Sequence, residues 1–113
     1  MSLSNRIIDQ LDINGFDVLY LEKNNDMFCV ELSQFTPAGE DWIPTIWFDG
    51  TESGFIKSFS SYASEFDIDE EVELWIPIRG TRGVPNSISV LIEDAEWKKR
   101  KLKECAIALE ELL

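Results

Sequence analysis

The sequence predicts an α+β fold in the order α-β-β-β-α-α-α: a three-stranded antiparallel sheet, helices on one face and a long C-terminal helix. Three observations support this. Apolar residues alternate in the strand manner between residues 16 and 49. From Phe55 they recur at helical spacing, and from about Pro85 that spacing continues to the end. A chain of 113 residues fits one domain covering residues 1–113.

A short helix is predicted at the start, over "SNRIIDQLDING". Ser4 is a favoured N-cap residue, and Gly15 fits the position just past a helix end. Between them, one face of the helix carries the apolar residues Ile7, Ile8 and Leu11.

The sheet is predicted from three segments. Phe16–Lys23 and Met27–Phe35 flank the turn sequence "NND" and form a hairpin. Trp42–Asp49 is the third strand. Its Pro44 has no N–H to donate, so the proline is expected at a sheet edge or near the start of the strand.

The middle helices differ in the strength of their signals. Phe55, Phe59, Tyr62 and Phe66 form an apolar stripe that is typical of an amphipathic helix. The next stretch, "EFDIDEEVELW", fits a strand by its alternation and a helix by its caps. The helix is favoured because Asp67 with Glu70 three residues later resembles a capping box.

The last helix is predicted from Pro85, which suits a first helical turn. About 26 residues would span ~39 Å, which is longer than a small domain is wide. The sequence therefore predicts either an overhang or a homodimer through the C-terminal helix. Its apolar stripe comprises Ile88, Leu91, Ile92, Ala95, Leu102, Ala106, Leu109 and Leu113.

The charge is strongly acidic and unevenly distributed. The chain has 22 acidic and 10 basic residues, a net charge of −12. Residues 1–97 carry −14, whereas residues 98–113 carry +2. Such a field repels nucleic acid and anionic membranes and attracts basic proteins, so direct nucleic-acid binding is not expected. The basic run "WKKRKLK" is expected to offset acids on neighbouring elements or on a second copy.

The chain lacks the residues that most classes of catalytic site require. The chain has no histidine, which removes imidazole bases, Ser-His-Asp systems and most zinc sites. Cys29 and Cys105 have neither metal nor redox spacing. "DIDEEV" resembles the start of an EF-hand loop, but Val72 replaces the required glycine. We therefore expect no catalytic residue, no metal and no cofactor, although plentiful carboxylates leave a small carboxylate-using enzyme as an alternative.

Two tryptophans are better candidates than the others for an exposed interface. Trp42 follows an acidic loop and Trp97 begins the basic run, whereas Trp47 and Trp75 fit core positions. With their acidic neighbours they define a predicted interaction surface: Glu40, Asp41, Trp42, Glu73 and Trp97.

The chain contains no apolar run of the ~18 residues that a membrane span needs. Its start lacks the basic and apolar regions of a secretion signal. A cytoplasmic location without membrane contact is therefore expected.

The segments "TPAGEDW", "FDIDEEVELW" and "GVPNSISVLIEDAEW" resemble a family of small, acidic, uncharacterised proteins of bacteria and their prophages. The resemblance covers most of residues 30–97. It implies a single small domain, no assigned activity and a helix after Asp67. Pro77 departs from the family pattern, in which other residues often occupy this position.

Together these observations predict a non-catalytic acidic protein that acts by binding a basic protein partner, and the resemblance implies that a prophage carries it. One alternative is a DNA mimic that inhibits a nuclease or DNA-binding protein, which requires a dense, continuous strip of carboxylates. The carboxylate-using enzyme is the other, and it requires a concave pocket of converging acids with raised pKa values.

Overall fold

The computed structural model describes residues 3–113 and confirms the α+β fold. Its helices are α1 (Asn5–Ile13), α2 (Glu52–Glu65), α3 (Ile68–Trp75) and α4 (Ile88–Glu110), with a 3₁₀ turn at Ile76–Ile78. Its strands are β1 (Asp17–Asn24), β2 (Met27–Phe35), β3 (Asp41–Trp42) and β4 (Thr45–Phe48).

The sheet is antiparallel, with β2 at its centre. On one side β1 pairs with β2 along nearly its whole length, with a bulge between Val18 and Tyr20. The hairpin turn contains Asn25 at a φ of +58°, a conformation that asparagine tolerates better than most residues.

On the other side of β2, proline divides the predicted third strand in two. β3 pairs with the end of β2 at Gln34 and Phe35, and β4 pairs with Phe28 to Glu31. Between them the Pro44 carbonyl accepts a hydrogen bond from Leu32 N at 3.0 Å. The divided strand forms the sheet edge, as expected for a residue that cannot donate to a ladder.

The core lies between one face of the sheet and helices α1, α2 and α4. Alternation along β2 and β4 directs Val30, Leu32, Ile46 and Phe48 to this side. The helices contribute Ile7, Leu11, Phe55, Ile56, Phe59, Leu102 and Leu109. The amphipathic stripe predicted for α2 is therefore its buried face, except that Tyr62 and Phe66 are only partly buried.

The ambiguous stretch after Asp67 is a helix. The Asp67 carboxylate accepts hydrogen bonds from Asp69 N at 2.8 Å and from Glu70 N at 3.2 Å, which satisfies two free donors of the first turn. At the other end, Pro77 lies inside the 3₁₀ turn that follows α3. The proline thus ends the α-helix at Trp75 without an abrupt break.

The last helix begins later than predicted, at Ile88 with Ser87 as its N-cap residue. Residues 85–87 precede the first residue of this helix. At 1.5 Å per residue, α4 is about 34 Å long, against a longest molecular dimension of 40 Å. Among residues 3–113, no helix has the length and apolarity to cross a bilayer.

Candidate protein-interaction surface

The sheet has a second face, which the helices leave uncovered; we call it the open face. The strand register arranges it in rows that cross three strands. One row contains Glu22, Cys29 and Trp47, and the next contains Tyr20, Glu31 and Thr45. Trp47 is 48% exposed and Tyr20 is 47% exposed, so two aromatic rings lie in solvent on adjacent rows.

The open face is also acidic. The register adds Asp17, opposite Ser33, and Asp41, opposite Phe35, to the carboxylates of Glu22 and Glu31. Ser33 donates a hydrogen bond to the Asp41 carboxylate at 3.1 Å. Both Asp17 and Asp41 are exposed. The face thus combines aromatic rings with four carboxylates and presents no lysine or arginine from its strands.

Electrostatics at the centre of the open face favour protonated forms. A hydrogen bond to Glu22, with burial next, raises the pKa of Tyr20. Burial, and then the charges of Glu31 and Glu22, raise the pKa of Cys29. Burial in the core raises the pKa of Cys105 to about 12. Neither thiol has the depressed pKa that a cysteine nucleophile needs.

The five residues predicted as an interaction surface do not lie together. Asp41 is on the open face and Glu73 is exposed on α3. Glu40 and Trp42 are only 4% and 6% exposed, so the expectation that they face solvent is wrong. They flank Asp41 in the chain and point to the opposite side because side chains of an extended segment alternate.

Trp97 is half-buried and packs edge-on against Trp42, with ring centroids 6.0 Å apart. The Lys101 ammonium lies 5.8 Å from the centroid of its ring. Trp97 is therefore not a fully exposed anchor. Trp47, in contrast, was expected to fit a core position. It faces solvent because Ile46 and Phe48 occupy the inward positions beside it.

Inside the molecule, Glu40 and Trp42 belong to a cluster around Lys98, which we call the lysine cluster. The Lys98 ammonium lies 2.9 Å from Glu40 Oε2 and 3.3 Å from Glu71 Oε1. It also lies 5.9 Å and 5.8 Å from the ring centroids of Trp42 and Trp75. The Lys98 side chain is 2% exposed, so its ammonium is removed from water and interacts with two carboxylates and two aromatic rings instead.

The lysine cluster joins α3, α4 and the loop before β3. Glu71 also accepts a hydrogen bond from the Trp75 indole. The loop is held by a bond from Glu40 N to Thr36 Oγ1 at 3.1 Å and by one from Ala38 N to Asp94 Oδ1 at 3.2 Å. The basic run thus does offset acids on neighbouring elements, through Lys98. Since its groups satisfy one another out of solvent, the lysine cluster is a structural tie.

Sequence reasoning missed the open face and the lysine cluster for different reasons. The position of Trp47 on the open face could have been predicted from the sequence, because Trp47 alternates with Ile46 and Phe48 and its side chain cannot lie on their side of the strand. The lysine cluster carried no local signal, since its members come from residues 40, 42, 71, 75 and 98. Within residues 3–113, no group of three or more His, Cys, Asp or Glu side chains is placed to hold a metal ion.

This chain matches no protein-family model, and the comparisons with curated proteins and with solved structures found no similar protein.

Proposed function

We propose that this protein is a non-catalytic binding protein and that its open face binds a basic protein partner. The observation that carries the proposal is the pair of exposed aromatic rings, Trp47 and Tyr20, on an uncovered and acidic sheet face. Tryptophan and tyrosine are the residues that most often dominate binding energy at protein interfaces. Both rings lie on the same sheet face, on the two strands that flank β2.

The partner's chemistry follows from the charges. Asp17, Glu22, Glu31 and Asp41 on the face, and a net charge of −12 overall, favour a positively charged surface. Long-range attraction of this kind speeds encounter and weakens as salt is added. The partner surface we expect is therefore rich in lysine or arginine, with an apolar centre that covers the two rings.

The two alternatives gain no specific support. A DNA mimic needs a continuous strip of free carboxylates, whereas Asp67 caps a helix and Glu40 and Glu71 neutralise Lys98. An enzyme needs converging acids that are free to react. A prophage origin, a homodimer through α4 and the family resemblance stay predictions.

The test compares protein partners captured from a lysate of the source cell by the wild-type chain and by Trp47→Ala. We expect at least one partner whose capture falls about tenfold or more with Trp47→Ala and with Tyr20→Ala, since truncating a central aromatic commonly has this effect. Capture should also weaken at high salt. Quantitative mass spectrometry provides the measurement.

Ile13→Ala is the matched control, because Ile13 is an exposed apolar residue that belongs to α1 and to no strand of the open face. It should capture the same partners as the wild type. Identical partner sets for the wild type and both aromatic variants would refute the proposed role of the open face.

A further inference from the structure

The free edge of β4 carries backbone groups without partners. The Pro44 carbonyl points to β2, as its bond from Leu32 N shows. Backbone groups alternate in direction along an antiparallel strand, so those of Ile46 and Phe48 also point to β2, and those of Thr45 and Trp47 point outward. No hydrogen bond within residues 3–113 outside the ladder uses the outward groups. Two N–H and two C=O groups therefore stand open to an added strand.

A groove lies beside this edge, with α2 as its second wall. Thr45, Ile46 and Trp47 line one side, and Lys57, Ser58, Ser61, Tyr62 and Glu65 line the other. The helix begins directly after β4 and runs back along it, so Lys57 lies towards Trp47 and Glu65 towards Thr45. An extended segment between the two walls can pair its backbone with β4 while its side chains contact α2.

The groove ends in negative charge. At Tyr62 and Glu65 it meets a depression whose other walls are Phe66, Asp67, Glu70, Glu71 and Leu74. Of these carboxylates, Asp67 is engaged as a cap and Glu71 binds Lys98, while those of Glu65 and Glu70 are exposed. Leu74 is also exposed and offers an apolar contact there.

We propose that this groove, between β4 and α2, binds an extended segment of a partner protein as an added β-strand, with lysine or arginine side chains over Glu65 and Glu70. Strand addition obtains affinity from main-chain hydrogen bonds and specificity from the side-chain contacts beside them. Because β4 has only four residues, and two of them direct their backbone groups outward, the partner segment that pairs with it is short.

The other free edge is less suited to this role. β1 is interrupted by its bulge and carries the charged residues Glu22 and Lys23, both of which are devices that discourage pairing with further strands. β4 adjoins a helix that can hold an added segment in place.

The inference rests on the proposed binding function, and it names the segment that the partner inserts. Its test uses peptides instead of a lysate, so the two can fail separately. Loss of the proposed function would appear as the absence of any Trp47-dependent partner. Failure of the edge site would appear as peptide binding that does not depend on the backbone of β4.

The probe is a phage-displayed library of random nonapeptides, selected on the immobilised wild-type chain. We expect enriched peptides with lysine or arginine at one end and no proline in the paired stretch. Thr45→Pro removes an outward N–H without removing any bond to β2, and it should weaken the enriched peptides about tenfold or more. Thr45→Val keeps the N–H and should bind within about twofold of the wild type.

Two further measurements keep the test informative if Thr45→Pro folds poorly. Glu65→Lys should weaken basic peptides several-fold, whereas Asp26→Lys, the same charge change in the hairpin turn, should have little effect. By hydrogen exchange, the amides of Thr45 and Trp47 should become protected when peptide binds the wild type. Peptides that bind Thr45→Pro as tightly as the wild type, or an absence of enriched basic peptides, would overturn the proposal.

Discussion

Lys98 shows how one residue can decide the local structure. A lysine is almost never fully buried unless its charge is paired. Here the ammonium meets Glu40, Glu71 and two tryptophan rings at once. The sequence indicated that the basic run would meet acids, but it could not say which lysine or which acids. Three segments that are remote in the chain converge only when the fold is complete.

Replacing Lys98 by methionine should strongly destabilise the protein. The change keeps the volume but leaves Glu40 and Glu71 without their cation, and breaking a buried pair in this way costs about 3–5 kcal/mol. Urea denaturation measures the loss in the free energy of unfolding.

The controls for this prediction are a surface lysine and a neutralised cluster. Lys103→Met should change the free energy of unfolding by less than about 0.5 kcal/mol, because Lys103 is exposed. Adding Glu40→Gln and Glu71→Gln to Lys98→Met should restore part of the loss. A cost below about 1 kcal/mol for Lys98→Met alone would contradict the structural role of the lysine cluster.

At the scale of elements, α3 shows how a cap decides between two patterns. The alternation of Val72, Leu74 and Ile76 is equally typical of a strand. The Asp67 carboxylate with its two backbone donors, and the acids of the first turn, favour the helix. The acidic run therefore serves mainly to begin a helix, and its carboxylates are not all available to a partner.

Asp67→Ala should cost about 1 kcal/mol of unfolding free energy, since it leaves two donors of the first turn without an acceptor. Asp67→Asn retains an acceptor oxygen and should cost less. Glu73→Ala provides the comparison, because Glu73 is exposed and later in the same helix. Chemical denaturation of the three variants measures these differences, and equal stability of Asp67→Ala and the wild type would show that the cap is dispensable.

At the scale of the whole molecule, Arg6 and Glu52 tie the start of the chain to α2. Arg6 Nε donates to Glu52 Oε1 at 2.9 Å, and Ser4 Oγ donates to Glu52 Oε2 at 2.6 Å. The hydrogen bond from Arg6, followed by that from Ser4, lowers the pKa of Glu52 from 4.5 to about 2. Ser4 was predicted as a capping side chain, but its hydroxyl is engaged in this tie.

The interactions of Glu52 should make the stability of the folded protein depend on pH between about 2 and 4.5. A carboxyl with a lowered pKa in the folded state stabilises above its unfolded value, and this contribution is lost as the pH falls. The difference in Tm between the wild type and Glu52→Gln should therefore be largest above about pH 4.5 and should shrink towards about pH 2. Circular dichroism melting measures it.

The effect should be modest, because Arg6 and Glu52 are both partly open to solvent. Asp9→Asn, the same loss of charge at an exposed position on α1, should show no such shrinkage. A difference between the wild type and Glu52→Gln that stays constant across this pH range would contradict the tie.

The sequence by itself determined the fold class and the order of helices and strands, apart from the division of the third strand, and its caps favoured a helix after Asp67. These features depend on residues within a few positions of one another: alternation, helical spacing, caps and prolines. Only the tertiary structure decided which surface faces solvent. Side-chain exposure depends on which elements pack together, and that packing buried Glu40 and Trp42 with Lys98 and left Trp47 and Tyr20 on an uncovered sheet face.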